Sequence, residues 1–119
     1  MMLLAAAALV ALAAALASAG SVDLDRAGAA PWSRPCASRA PRPDRLLLAR
    51  CARVTGHVVW TRRAARETHL ALVADFHLFV VKLLPGVAAP GRGSSLTAVG
   101  PLVRARNGLR EVQAFALSR

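Results

Sequence analysis

The chain has 119 residues, 16 of them Lys or Arg and 6 Asp or Glu, for a formal net charge of +10. That length holds one domain with one modest core and excludes a second sizeable one. The charge favours polyanionic partners, and six carboxylates are few for paired acid–base chemistry. Fifteen of the 16 basic residues are Arg and Lys82 is the one Lys, a bias that nucleotide composition also produces.

Met2 to Ala19 carries no charge and is built mainly from Ala, Leu and Val. It ends Ala17, Ser18, Ala19, with small residues where a signal peptidase reads, so residues 1–19 are predicted to be a signal peptide and Gly20 the mature start. Lys and Arg are missing ahead of the apolar run, so either the start lies upstream or the signal is weak, and the alternative to cleavage is an uncleaved anchor. Eighteen mostly apolar residues approach what crosses a bilayer of roughly 30 Å. That uncleaved segment is the membrane contact this pattern allows; no Cys closes the run as a lipoprotein requires. The expected location is therefore secreted, periplasmic or cell envelope.

Residues 20–50 read as an arm or linker. Pro31, Pro35, Pro41 and Pro43 stand within it among Ala, Ser and Arg, a density that opposes regular helix or central strand. Leu46 to Ala52 fits either a helical turn or the lead into a strand. Cys36 and Cys51 lie 15 positions apart, and in an oxidising compartment such a pair is predicted to form one disulfide. Neither has a CxxC partner or a nearby His, which argues against a metal or nucleophilic role.

From there to the C-terminus, residues 51–119, short runs of Val, Leu and Phe alternate with breaks of Gly, Pro, Asn or charge. Five strands are predicted. The first is Arg53 to Thr61, with Val54, Val58 and Trp60 on one face and Gly56 bending it. The second, Glu67 to Ala74, and the third, Leu78 to Leu84, form a hairpin across Asp75, Phe76 and His77. Pro85 to Ser95 crosses over with little or no helix. The fourth, Leu96 to Arg104, needs a bulge or an edge position at Gly100 and Pro101. Asn107 and Gly108 suit a type I′ turn into the last strand, Leu109 to Leu117.

A Gly-bent first strand (Val54, Thr55, Gly56, His57, Val58), then Pro90, Gly91 and Gly93 leading to Leu96, Thr97, Ala98, Val99 and Gly100, resembles the OB-fold over about Ala52 to Arg119. With the predicted signal peptide it is similar to exported bacterial OB-fold proteins. The resemblance implies an all-β, five-stranded barrel that binds through the face of its second and third strands and two flanking loops. Carried onto this sequence, that surface is Arg62, Arg63, Arg66, His69, Phe76, His77 and Lys82, with Arg104, Arg106 and Arg110 around the other loop. Alternation places Trp60, Phe79 and Phe115 in the core, leaving Phe76 as the exposed aromatic for stacking.

No enzyme is read here. His57, His69 and His77 lack close ligand spacing, so no metal site is assigned. Ser94 and Ser95 have no GxSxG context, and no cofactor motif is present. The predicted function is an exported binding module whose Arg-lined loops engage nucleic acid, oligosaccharide or envelope polymer. Its alternatives are a structural or protein-interaction domain of the envelope, and a cytoplasmic nucleic-acid binder if the start is misassigned.

Overall fold

The structure, a computed structural model, describes residues 19–37, 39–41, 44–64, 67–83, 88 and 90–119. All but the last residue of the predicted signal peptide lies outside them, as do Arg66 and residues 85–87 and 89 of the Pro/Gly crossing. The described chain is mostly strand: β1 (Ser21–Asp25), β2 (Leu46–Ala64), β3 (Glu67–Ala74), β4 (His77–Leu83), β5 (Ser95–Arg104), β6 (Arg110–Gln113) and β7 (Ala116–Ser118). A 3₁₀ turn at Pro31–Ser33 and a four-residue helix α1, Arg34–Ala37, lie between β1 and β2. None of the described helices is long and apolar enough to cross a membrane.

The strands lie in the order β1-β2-β3-β4-β6-β5-β7, and an additional β2–β5 pairing closes β2, β3, β4, β6 and β5 into a ring. Only β4 and β6 run parallel; the other pairs are antiparallel. The interior is filled from every strand of the ring: Val54 and Val58, Leu70 and Leu72, Phe79 and Val81, Leu96 and Ala98, and Val112. Burying these apolar side chains at alternate positions on one face is what the Val/Leu/Phe rhythm encodes.

Leu46 to Ala52 takes the second of its two expected forms and is strand, the start of a single 19-residue β2. Several other local expectations are corrected. Ser21–Asp25, expected to be irregular arm, pairs along β2 with Ser21 opposite Thr55 and Asp25 opposite Cys51. The segment precedes the first proline, so its amides are free to pair, and as an edge strand it needs only one neighbour. Immediately after it, the Asp25 carboxylate accepts hydrogen bonds from the Gly28 amide (2.8 Å), the Ala30 amide (2.8 Å) and the Ser33 hydroxyl (2.7 Å). The Ser33 bond and then the Ala30 amide hold its carboxyl below the ordinary carboxylate value.

Trp60 is not in the core. Val58 faces Leu72 but Trp60 faces Ala71, so β2 carries one extra residue, Val59, at this point. Such a bulge reverses the alternation, and it leaves Trp60 41 % exposed on the outside. Phe115, also expected inside, is half-buried with the Arg39 guanidinium 5.4 Å from its ring centre.

The β3–β4 hairpin forms as expected, with His77 already in the strand, and the β5–β6 turn differs from expectation. At Asn107–Gly108 only Gly108 has a positive φ (84°); its amide donates to Ala105 and the Ala105 amide to Leu109, both at 2.9 Å. This is a three-residue connection instead of type I′. The turn with both central residues at positive φ is Asp75 (49°) and Phe76 (60°), where Ala74 pairs with His77. A left-handed conformation costs a non-glycine residue about 1–2 kcal/mol. The His77 Nδ1–H donates to the Asp75 carbonyl at 2.6 Å and helps hold this turn.

The C-terminal run is two strands, not one. After β6 the Ala114 amide donates to Lys82 (3.1 Å) and the Phe115 amide to Val99 (2.9 Å), carrying the chain across to its second pairing with β5. Gly100 makes the crossing feasible, because a Cβ there would overlap the Gln113 carbonyl oxygen. On the outer side of β2 and β5 the Cys36–Cys51 disulfide, present as expected, forms a second apolar cluster with Val99, against which Trp32 and Ala116 pack. The Arg53 guanidinium sits 4.8 Å from the Trp32 ring centre and pairs with Asp23 at 3.0 Å. Trp32 therefore docks on the sheet.

Candidate functional site on the outer face of β2, β3 and β4

Register determines which side chains share this face. Arg62 is opposite His69, and His69 is opposite Lys82; one step along, Trp60 is opposite Ala71 and Ala71 opposite Val80. With strands about 4.8 Å apart, Arg62 and Lys82 lie roughly 10 Å from one another across β3. The result is an apolar strip (Trp60, Ala71, Val80) flanked by a cationic row (Arg62, His69, Lys82). Arg63, the next residue of β2, is exposed at the same end.

Hydrogen bonds and ion pairs fix part of that row. His69 Nε2–H donates to Glu67 Oε2 at 3.2 Å. Lys82 Nζ lies 3.9 Å from the same oxygen and 3.3 Å from Glu111 Oε1. Glu111, on β6, is 1 % exposed, and its other oxygen accepts from the Gln113 amide at 3.4 Å. The network ties β3, β4 and β6 together and holds the Lys82 ammonium in place. Arg62 and Arg63 have no partner among the described residues and are free to meet an anion.

The remaining expected residues lie elsewhere. β2, β4 and β6 run in one direction around the ring and β3 and β5 in the other, so the β3–β4 turn, the β5–β6 turn and the start of β2 share one end. Phe76, His77, Arg104, Arg106 and Arg110 belong to that end. Arg62 and Arg63 stand at the other, near the β2–β3 connection, and Arg66 lies outside the described residues. The cationic residues expected from sequence thus form two groups separated along the strands.

Two residues central to the face were missed by the sequence reading: Trp60, assigned to the core, and Glu111, given no role. The uninterrupted run Val58-Val59-Trp60 was the one available mark of the bulge. Glu111 gave no such signal, since its partner Lys82 is 29 positions away and meets it only through the parallel β4–β6 pairing. Among the described residues no group of three or more His, Cys, Asp or Glu is placed to hold a metal ion.

No protein-family model matches the chain, and no curated protein matches it in sequence.

Proposed function

We propose that the chain is an exported, non-enzymatic OB-fold-like module that binds an anionic, ring-bearing polymer across the outer face of β2, β3 and β4. The observation that carries this reading is Trp60, half-exposed beside Arg62, His69 and Lys82. A flat indole offers a stacking surface for bases or sugar rings, and the cations beside it meet the backbone charge. The OB-like assignment is supported by the topology. β2, β3 and β4 follow one another as neighbours, and β5 returns to lie beside β2, a Greek-key closure of five strands. Export is supported by the Cys36–Cys51 disulfide, which fits an oxidising compartment.

Fluorescence titration with single-stranded DNA, RNA and an acidic oligosaccharide, repeated over a range of salt, tests the proposal. Binding should weaken steeply as salt rises, and Arg62→Ser with Arg63→Ser should weaken it and flatten the salt slope by roughly 1–2 in log–log terms. An absence of binding to all three at low salt contradicts the reading and leaves the envelope-structural alternative.

A further inference from the structure

The end of the ring formed by the β3–β4 turn, the β5–β6 turn and the start of β2 gathers large apolar side chains that the fold leaves outside. Phe76 is 67 % exposed and Leu46 64 %, with Leu78 and Leu109 also exposed. They are close in register: Phe79 of β4 pairs with Arg110 of β6, which places Leu78 next to Leu109, and Leu46 pairs with Arg104, itself opposite Arg110. Leu78 and Leu109 are neighbours in register with Phe76 at the adjoining turn, and exposed apolar side chains clustered in this way mark an interaction site.

Phe76 adds a second, independent observation. It occupies a two-residue turn at φ 60°, a position where Gly or Asn is the residue of least strain. An exposed Phe held in a disfavoured conformation at a turn tip contributes little to this fold, and the inference runs from that outlier to an external partner.

We propose that this end docks on an anionic lipid bilayer, with Phe76, Leu78 and Leu109 entering the interface and Arg104, Arg106 and Arg110 lying at the headgroups. The chemistry of the rim selects that partner. Arg104, Arg106 and Arg110 are all exposed, and His77 lies beside them. The acids of this end are Asp75, at the turn itself, and Asp44, which is bound by Arg45 (3.4 Å) and Arg106 (3.8 Å); Glu111 is held by Lys82. A second copy of the chain would bring the same cationic rim against itself. Phe76 projects from the tip of the β3–β4 turn, with Leu78 and Leu109 beside the two turns, a shape suited to a soft interface in which aromatic and aliphatic side chains sink and guanidinium groups remain at the phosphates. Leu78 adjoins Val80 on the outer face of β4, but Phe76, Leu109 and the three arginines lie towards the end of the ring, so each surface can fail alone.

The test uses the full chain carrying Phe76→Trp, or Arg63→Trp at the opposite end, and measures tryptophan emission above the wild-type background. The vesicles have brominated acyl chains and are made of phosphatidylcholine alone or with phosphatidylglycerol. The expected result is a blue shift and loss of emission for Phe76→Trp with the phosphatidylglycerol vesicles. Arg63→Trp is expected to show no quenching, and Arg106→Ser with Arg110→Ser should abolish the effect at position 76. The proposal is overturned by an unquenched Phe76→Trp, by equal quenching at both ends of the ring, or by equal quenching without phosphatidylglycerol. A response of Phe76→Trp to single-stranded DNA with none to vesicles assigns this end to the polymer site instead.

Discussion

Lys82 is a proposed ligand contact whose first effect when replaced should be on stability. Lys82→Met keeps the apolar stem and removes the ammonium, leaving the Glu111 carboxylate, 2 % exposed at its side chain, with the Gln113 amide at 3.4 Å and no other paired cation among the described residues. Breaking one side of a buried pair costs about 3–5 kcal/mol. Lys82 retains 16 % side-chain exposure, so water reaches the site and the lower figure, about 3 kcal/mol, is expected. Glu111→Gln alone should cost about 1 kcal/mol, because Lys82 keeps Glu67 at 3.9 Å and solvent. The double variant removes both charges and should also cost about 1 kcal/mol, giving a coupling of roughly 2–3 kcal/mol. Urea unfolding of the four proteins at matched m-values measures each term. Additive costs, or a loss under about 1 kcal/mol for Lys82→Met, would refute the argument that Glu111 depends on Lys82. The double variant is also the background in which binding can be compared without a loss of fold.

Two further predictions concern the segment that precedes β2. Cys36→Ala with Cys51→Ala opens a 15-residue loop and should destabilise the domain by about 3 kcal/mol, or roughly 12–24 °C in Tm; a calorimetric shift of only a degree or two would contradict it. Asp25 has a carboxyl held below its ordinary value by Ser33 and the Ala30 amide. Its contribution is therefore complete above about pH 4 and lost as pH falls through the depressed folded-state value. Hydrogen exchange at Gly28 and Ala30 should accelerate in Asp25→Asn at neutral pH and in the wild type only under acid; unchanged exchange in the variant refutes the cap.

The parts of the fold that were legible in sequence are those set by local alternation and breakers. β3 stands at its expected bounds because Leu70, Leu72 and Ala74 recur with period two before a polar turn, and the Cys36–Cys51 bridge followed from number and spacing. What was not legible depends on partners distant in sequence. β1 has an alternating pattern, but only five residues long, and it becomes a strand because β2 supplies the other half of its hydrogen bonds. The bulge at Val59 decides whether Trp60 faces the core or solvent, and a one-residue slip reverses every side chain beyond it. The last run divides at Ala114 and Phe115 because Lys82 and Val99, on two different strands, capture successive amides. The same limitation affected the site, where residues grouped by loop in the sequence fall at opposite ends of the ring.

The central claim is that Trp60 and its cationic row form the binding face, and amide chemical-shift mapping of the full chain during titration with a short single-stranded oligonucleotide tests it most directly. The predicted result is shifts concentrated at residues 60–62, 69–71 and 80–82, together with an affinity loss on Trp60→Ala corresponding to about 1–3 kcal/mol. Saturable binding that leaves those residues unshifted, or a Trp60→Ala variant that binds as tightly as the wild type, contradicts it.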